Sequence, residues 1–463
     1  MNNKHIENHF ITKNYLHFDK RLHFKNIETY VSNPQKIALH SFLPFLKYEL
    51  SFTKFRDVSE IPDATSETQP QKKKTRKIMY AGHLDGYIYK YYSLILNEEY
   101  NSWAQSNGID NCSLAYRTNK PKQSNIDFAA KVINTLVDYK QAYILIGDFT
   151  NFFDKIDHSI LKESLIEVIS NSKLDSNGKL TKDWYNIYRS VTKHGYYEKS
   201  FINEVLGSDK DFRLANKTRY FNTLSDFRDF QKEHRTQKNQ QQYGIPQGTA
   251  ISGVFANIYA INFDMALQKI AANHNGFYQR YSDDFILLIP QKSANGVLVS
   301  SDSFKSIIDN VMNITKKNSI DLEKSKTNYY KFSNNEIIHF DSGKKSHLDY
   351  LGFIFDGNNV NMRGKSPYKF YRKAYQLIDI AQNKKINDGL NTLPYKRQIY
   401  SLYTDLGTHN SYSPYGNFIS YAKRAKKKFD EISPKTNNLI LNQIKNRKKK
   451  IEKKLKMRLH TKV

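Results

Sequence analysis

The chain has 463 residues, 72 Lys and Arg against 45 Asp and Glu, a formal net charge of +27 and one cysteine, Cys112. A lone cysteine excludes an internal disulfide and a thiolate zinc cluster, so a reducing compartment is expected. No apolar run approaches the roughly 20 residues that cross a bilayer, and the polar start MNNKHIENHF lacks a signal peptide's apolar stretch. The expectation is a soluble intracellular protein of two or three domains with no membrane partner. Its charge excess asks for a polyanion, and 33 tyrosines and 28 phenylalanines include rings that could stack on bases.

Residues Met1–Glu60 alternate short apolar stretches with histidines and basic residues, which reads as a mostly helical N-terminal extension. Ile61–Gln71 is a polar, proline-containing break, and the basic cluster Lys72, Lys73, Lys74, Arg76, Lys77 follows it. Tyr87–Tyr100 and Ile126–Tyr139 read as helices flanking a loop with Tyr116 and Arg117. Tyr143–Phe149 (YILIGDF) is a nearly continuous apolar run, which suits a strand buried on both faces with Asp148 at its mouth. An amphipathic helix follows at Ser159–Ser170, whereas 171–242 is polar and too weakly patterned to divide. Ala250–Ile270 reads as one long apolar helix opened by Gly244-Ile245-Pro246-Gln247-Gly248.

Phe277–Pro290 (FYQRYSDDFILLIP) predicts strand, tight turn and strand, with the acidic pair at the bend. Asp302–Asn318 is helical, and Tyr350–Met362 is a second hairpin turned at 356–359. Beyond Pro367 the pattern is helical and increasingly basic, ending in Lys445–Arg458, which reads most simply as a solvated face that could also hold RNA. These elements give an α+β core between helical flanks.

Three features carry chemistry. Asp148 ends a buried strand, where an ionised carboxylate is costly unless paired or bound to metal. Asp283-Asp284 sets two like charges side by side at a hairpin tip, and the three carboxylates together are hard oxygen ligands suited to Mg²⁺ and substrate phosphates. Two ions about 3.5–4 Å apart would activate a 3′-hydroxyl and stabilise leaving pyrophosphate. The glycines of 244–248 let backbone approach a bulky ligand. Taken singly, each is more often turn or capping chemistry. Their joint occurrence in this order is what carries weight.

Tyr281-Ser282-Asp283-Asp284 resembles the Tyr-x-Asp-Asp signature of reverse transcriptases. Gly147–His158 (GDFTNFFDKIDH) is similar to that family's first catalytic aspartate block and Gly244–Ala260 to its Pro-Gln-Gly block. Leu322–Tyr330 resembles the lysine block, Tyr350–Asp356 the Leu-Gly-Phe primer hairpin, and Thr75–Tyr92 with Tyr116-Arg117 the fingers blocks. The resemblance spans about residues 76 to 360. It implies a right-hand polymerase: fingers and a palm with an antiparallel sheet over 76–365, a helical extension and linker over 1–75, and a basic, helical, thumb-like region over 366–463.

Carried over by position, the resemblance makes Asp148, Asp283 and Asp284 the catalytic ligands of two Mg²⁺ ions, with the Phe149 carbonyl assisting. Phe153 falls at the steric gate that favours deoxynucleotides; Gln247, Arg76, Arg117 and Lys326 fall at nucleotide contacts. Gly248, Tyr281, Leu351 and Gly352 fall at primer or template contacts. One departure is Asp85-Gly86, where mobile-intron relatives carry Asp-Arg. Another is the lack of any RNase H, endonuclease or integrase arrangement of residues.

The block Arg76–Tyr92, the Ala115-Tyr116-Arg117 entry and the plain helical tail resemble the abortive-infection and defence-associated reverse transcriptases of bacteria. That implies antiphage RNA-directed DNA synthesis in a bacterial cytoplasm, with dNTPs, DNA product and an RNA template, in some members a dedicated noncoding RNA, and leaves room for a second copy or an accessory protein as partner. Template-independent or protein-primed DNA synthesis by the same site is one alternative; a catalytically idle RNA-binding scaffold is another.

Overall fold

The computed structural model describes residues 10–55, 71–292, 298–409 and 416–459. The polar break at 61–70 lies outside the described residues, as do the side chains of the lysines at 72–74. The strands are β1 (Phe45–Phe55), β2 (Gln71–Tyr80), β3 (Ala142–Asp148), β4 (Gly195–Glu198), β5 (Gln237–Lys238), β6 (Phe277–Tyr281) and β7 (Asp284–Pro290). Further along come β8 (Asn328–Ser333), β9 (Glu336–His339), β10 (Lys345–Ser346), β11 (Leu348–Tyr350), β12 (Phe353–Phe355), β13 (Asn359–Met362) and β14 (Asn437–Asn438). The helices that matter below are α1 (His83–Ser106), α2 (Asn125–Tyr139), α3 (Lys182–Thr192), α4 (Leu224–Glu233), α5 (Ala250–Tyr259) and α6 (Ile261–Asn273), then α7 (Lys365–Asn387), α8 (Phe418–Ile432) and α9 (Arg447–Leu455).

The central sheet has the order β10-β9-β8-β3-β7-β6. Strand β3 is antiparallel to both β7 and β8, so its apolar run is covered on both edges and both faces. A strand so placed needs no polar face, which is why its sequence does not alternate. Aromatic and aliphatic side chains of β7, α1, α5 and α6 fill one cluster on this sheet, and α2 with the C-terminal helices fills another.

The mixed α+β organisation is as expected, but the helical N-terminal extension is not. Among the described residues ahead of β1, only short helical turns occur, at Phe24–Asn26, Glu28–Val31 and Pro34–Ala38. The chain then enters a long antiparallel ribbon, β1 on β2, with Leu46 opposite Tyr80 and Phe55 opposite Gln71. The reason lies in period two: Leu46, Tyr48, Leu50 and Phe52 alternate with Lys47, Glu49, Ser51 and Thr53, a strand pattern rather than a helical one. The expected boundary at residue 75 therefore cuts β2 through its middle. Strands β4 and β5 extend the ribbon into a sheet of order β2-β1-β4-β5, and Lys47 meets Glu198 at 2.6 Å across the β1–β4 seam.

Two more expectations need correction. The apolar stretch 250–270 is two helices, α5 and α6, bent by 49° at Ala260. Among the described residues no single helix is long and apolar enough to cross a membrane. The basic tail is also more than a solvated face. Ile440, Ile444, Ile451 and Leu455 are buried in the cluster that holds α2, α7 and α8, while Lys445, Lys449 and Lys453 remain exposed. Region 171–242, left undivided above, forms α3, β4, α4 and β5 with two shorter helices between β4 and α4.

Candidate active site

Pairing of β3 with β7 sets Asp148 directly opposite Asp284, and pairing of β6 with β7 sets Tyr281 opposite Asp284. Only Ser282 and Asp283 remain to make the turn. Ser282 has φ +60° and is the only one of the two with positive φ, the sign pattern of a type II′ hairpin in which glycine is usual. A serine there is strained, and such strain persists only where surroundings hold it. The Phe149 N–H donates to the Asp283 carbonyl at 2.9 Å, tying the turn to the end of β3. Three carboxylates from positions 148, 283 and 284 thus stand together.

What holds the turn is a group the sequence reading passed over. Arg280 is fully buried, and its guanidinium uses every N–H. Nε and Nη2 bond Asp264 Oδ1 and Oδ2 at 2.7 and 2.6 Å. Nη2 also reaches Ser113 Oγ at 3.0 Å, and Nη1 reaches Asn257 Oδ1 at 3.3 Å and the Ser282 carbonyl at 2.8 Å. Asp264 is equally buried and takes a further hydrogen bond from the Tyr278 hydroxyl at 2.6 Å. The break between α5 and α6 thus lets Asn257 and Asp264, on either side of it, serve one guanidinium. A signal was present: Asp264 and Arg280 are opposite charges inside apolar stretches, where each is costly unless it finds the other. A further tie joins the Tyr116 hydroxyl to Ser282 Oγ at 3.1 Å.

Electrostatics follow from this crowding. Burial first, then the Asp283 and Asp148 charges, push the Asp284 carboxyl up to about 7. Asp283 is raised by burial and then by Asp148. Lys326 Nζ, the lysine expected at the triphosphate, forms an ion pair with Asp148. Among the described residues no three His, Cys, Asp or Glu side chains stand at metal-ligand spacing. The Lys326 ammonium offsets part of the negative charge, and the crowding of carboxylates raises the proton affinity of Asp284. The donor set nevertheless fits a hard divalent ion: hard oxygens only, from adjacent backbone positions, and already drawing positive charge to themselves.

The remaining expected residues divide. Phe153, partly buried, lies in the short helix Phe152–Lys155, and its carbonyl accepts from Ile245 N at 2.9 Å, so the 244–248 loop lies against it. The Gln247 carbonyl accepts from Met79 N at 2.9 Å, which brings that loop onto β2, the strand that carries Arg76. A Cβ at Gly248 would lie 2.5 Å from the Met79 carbonyl oxygen, and its φ is +132°, so only glycine fits the approach. Gly147 is likewise required, because a Cβ there would fall 2.4 Å from the Phe285 ring. Tyr281 is half-buried beside Phe128. Leu351 and Gly352 turn β11 into β12 with φ +47° and +93°, and Asn125 Nδ2 holds the Leu351 carbonyl at 2.9 Å.

Arg117 is a correction. Its side chain is buried, donates to Asn101 Oδ1, the Ser113 carbonyl and Asp110 Oδ1, and lies over the Tyr100 ring. With those partners it braces the loop and is not available to a phosphate. Asp85, at the departure noted above, is also structural: it accepts from Leu43 N and pairs with His40, both at 2.8 Å.

A family model described as "Reverse transcriptase (RNA-dependent DNA polymerase)" matches residues 112–355, more than half of the chain. Among solved structures, the chain is similar to apo telomerase from Candida tropicalis truncated from its C-terminal domain, at 14% identity and a TM-score of 0.40, covering 73% of this chain and 59% of that one. It is also similar to the longer apo telomerase of that yeast, at 12% identity and TM-score 0.43, covering 94% and 70%. A third is telomerase from Candida albicans in complex with a fragment of telomeric RNA, at 13% identity and TM-score 0.37, covering 93% and 66%. The chain thus spans less than two thirds of the first of these. No curated protein matches it.

Proposed function

The chain belongs to the reverse transcriptase family, and from that membership we propose that it is an RNA-directed DNA polymerase whose reaction centre is Asp148, Asp283 and Asp284. The observation that carries this reading is the register of β3 on β7, which sets Asp148 opposite Asp284 with Asp283 in the adjoining turn. In this reading the central sheet is the palm, the β1–β2 ribbon with α1 the fingers, and the helices beyond residue 365 the thumb-like region. Two Mg²⁺ ions, held by the three carboxylates and the Phe149 carbonyl, would supply Lewis-acid activation of a primer 3′-hydroxyl and charge neutralisation for pyrophosphate.

The chain's own side chains do the rest. Asp148 and Asp284 would face the ions as carboxylates, and Lys326, paired with Asp148 in the structure, would turn toward the triphosphate. Phe153 bars a ribose 2′-hydroxyl, so dNTPs are the substrates. Gln247 and Gly248, fixed on β2, face the nucleotide and template, while Arg76 is the fingers cation that remains once Arg117 is set aside. Tyr281, Leu351 and Gly352 guide the primer end. Incubating the purified protein with Mg²⁺, a primed RNA and labelled dNTPs tests the reading. Templated extension that Asp283→Ala abolishes is expected; undiminished product from that variant would remove these carboxylates from the mechanism.

The resemblance of Arg76–Tyr92 to defence-associated enzymes supports a role in antiphage defence within a bacterial cytoplasm. Phage plating on cells carrying wild type or Asp283→Ala tests it: protection by wild type alone is expected, and equal protection would leave the scaffold alternative. DNA found covalently attached to purified protein would instead favour protein priming.

A further inference from the structure

Region 171–242 builds a second concave site, remote in its lining from the three carboxylates. A cavity of about 530 Å³ opens between α3, α4 and the segment 40–45 that leads into β1. Four cations come to it from three elements: Arg189 in α3 and Lys193 at its cap, Arg228 on α4 and Lys238 on β5. Not one Asp or Glu lines it. Among the described residues, none of the four makes an ion pair: the Lys193 ammonium reaches only the Gln241 carbonyl and Gln242 Oε1, both at 3.1 Å. The other three side chains are exposed and have no polar partner among the described residues. Phe45 and Phe227, almost fully buried in the core behind it, form the floor of the cavity.

The bland explanation covers only part of this. Arg189 lies in the last turn of α3 and Lys193 caps its end, where a cation complements the helix dipole. That argument does not apply to Arg228 or Lys238, which come from other elements and face the same space. Four like charges around one concavity repel each other, and an anion with several oxygens relieves that repulsion. Arginine's planar fork suits phosphate oxygens. The volume lies within the roughly 300–1,000 Å³ of small-ligand pockets.

We propose that this cavity is a second binding site, distinct from the reaction centre, for the phosphates of a nucleotide, either a free nucleoside triphosphate or one carried within a bound RNA strand. It goes beyond the polymerase reading and does not rest on it, because the test reads binding alone. Full-length protein is titrated into fluorescein-labelled oligo(U) of 12 nucleotides, and separately with ATP, each followed by anisotropy or calorimetry across a salt series. The charge reversal Arg189→Glu with Arg228→Glu is compared with wild type and with Asp284→Asn; the neutral pair Arg189→Gln with Arg228→Gln serves if the reversal fails to fold.

Loss of about tenfold or more in oligo(U) affinity, with a salt slope shallower by about 1.4 for two lost phosphate contacts, supports the site and assigns it to an RNA strand. Saturable ATP binding that the arginine variants lose and Asp284→Asn keeps supports it and assigns it to a free nucleotide. Arginine variants that fold and bind both probes as wild type does would overturn it.

Discussion

Replacing Arg280 by methionine removes the cation that, among the described residues, pairs with Asp264, while filling much of the same space. Both groups are fully buried, with side chains at 0% exposure, and five hydrogen bonds leave with the guanidinium. Removing one partner of such a pair leaves an uncompensated buried charge and costs about 3–5 kcal/mol. Urea denaturation followed by circular dichroism reads that loss by linear extrapolation. Adding Asp264→Leu removes the stranded carboxylate, so the double variant should return to within about 1–2 kcal/mol of wild type. Extension should not return with it, since the Ser282 carbonyl has lost its Nη1 donor at 2.8 Å and the strained turn its brace. Recovery of stability without recovery of extension is the signature of a positioning residue. A single variant costing less than about 1 kcal/mol, or a double variant that extends primers at the wild-type rate, would refute this reasoning.

Three further outcomes are expected. Without metal, the Asp284 carboxyl titrates near 7 in the folded chain rather than at its ordinary value, so the folded state holds the extra proton; its contribution is intact in acid and is lost as pH rises toward and through 7. Thermal melts should therefore drop between pH 5.5 and 8 in EDTA, and either Mg²⁺ or Asp284→Asn should shrink the drop; a drop of the same size in Asp284→Asn would assign it elsewhere. Gly248→Ala, whose Cβ would meet the Met79 carbonyl at φ +132°, should cost about 1–3 kcal/mol, whereas Gly364→Ala, with open space around it, should stay within about 0.5 kcal/mol in the same denaturation assay. Truncation after Pro434 removes buried Ile440, Ile444, Ile451 and Leu455 along with the basic face, so it should lower the melting temperature as well as RNA affinity. Substituting the exposed Lys449 and Lys453 by Gln should lower affinity alone, as a salt-dependent binding curve would register.

Local pattern was enough to recover β3 and the β6–β7 hairpin, because unbroken apolar runs and a tight acidic turn have few other solutions; the convergence of Asp148 with Asp283 and Asp284 was implied by the family resemblance alone and is made by the β3–β7 register. Pattern was also enough for α1 and α2, whose apolar periodicity is regular. It misjudged β1, where an alternating stretch was taken with the histidine-rich segment before it, and it joined α5 to α6, because an apolar run carries no mark of a bend within it. It assigned Arg117 to phosphate, since a cation's partner is chosen in three dimensions: Asp110 and Asn101 claim that guanidinium.

The division has a physical basis. Strand character, turn position and the presence of three acidic side chains are set by neighbours within a few residues, so the linear order of amino acids carries them. Which charges neutralise one another, which backbone is held strained and which cations are left to face open space depend on residues distant in the chain. Arg280 with Asp264 and Asn257, the 244–248 loop with β2, and the four cations gathered around the 530 Å³ cavity are set by packing, because electrostatic and steric energies depend on distance in space and not on separation along the chain.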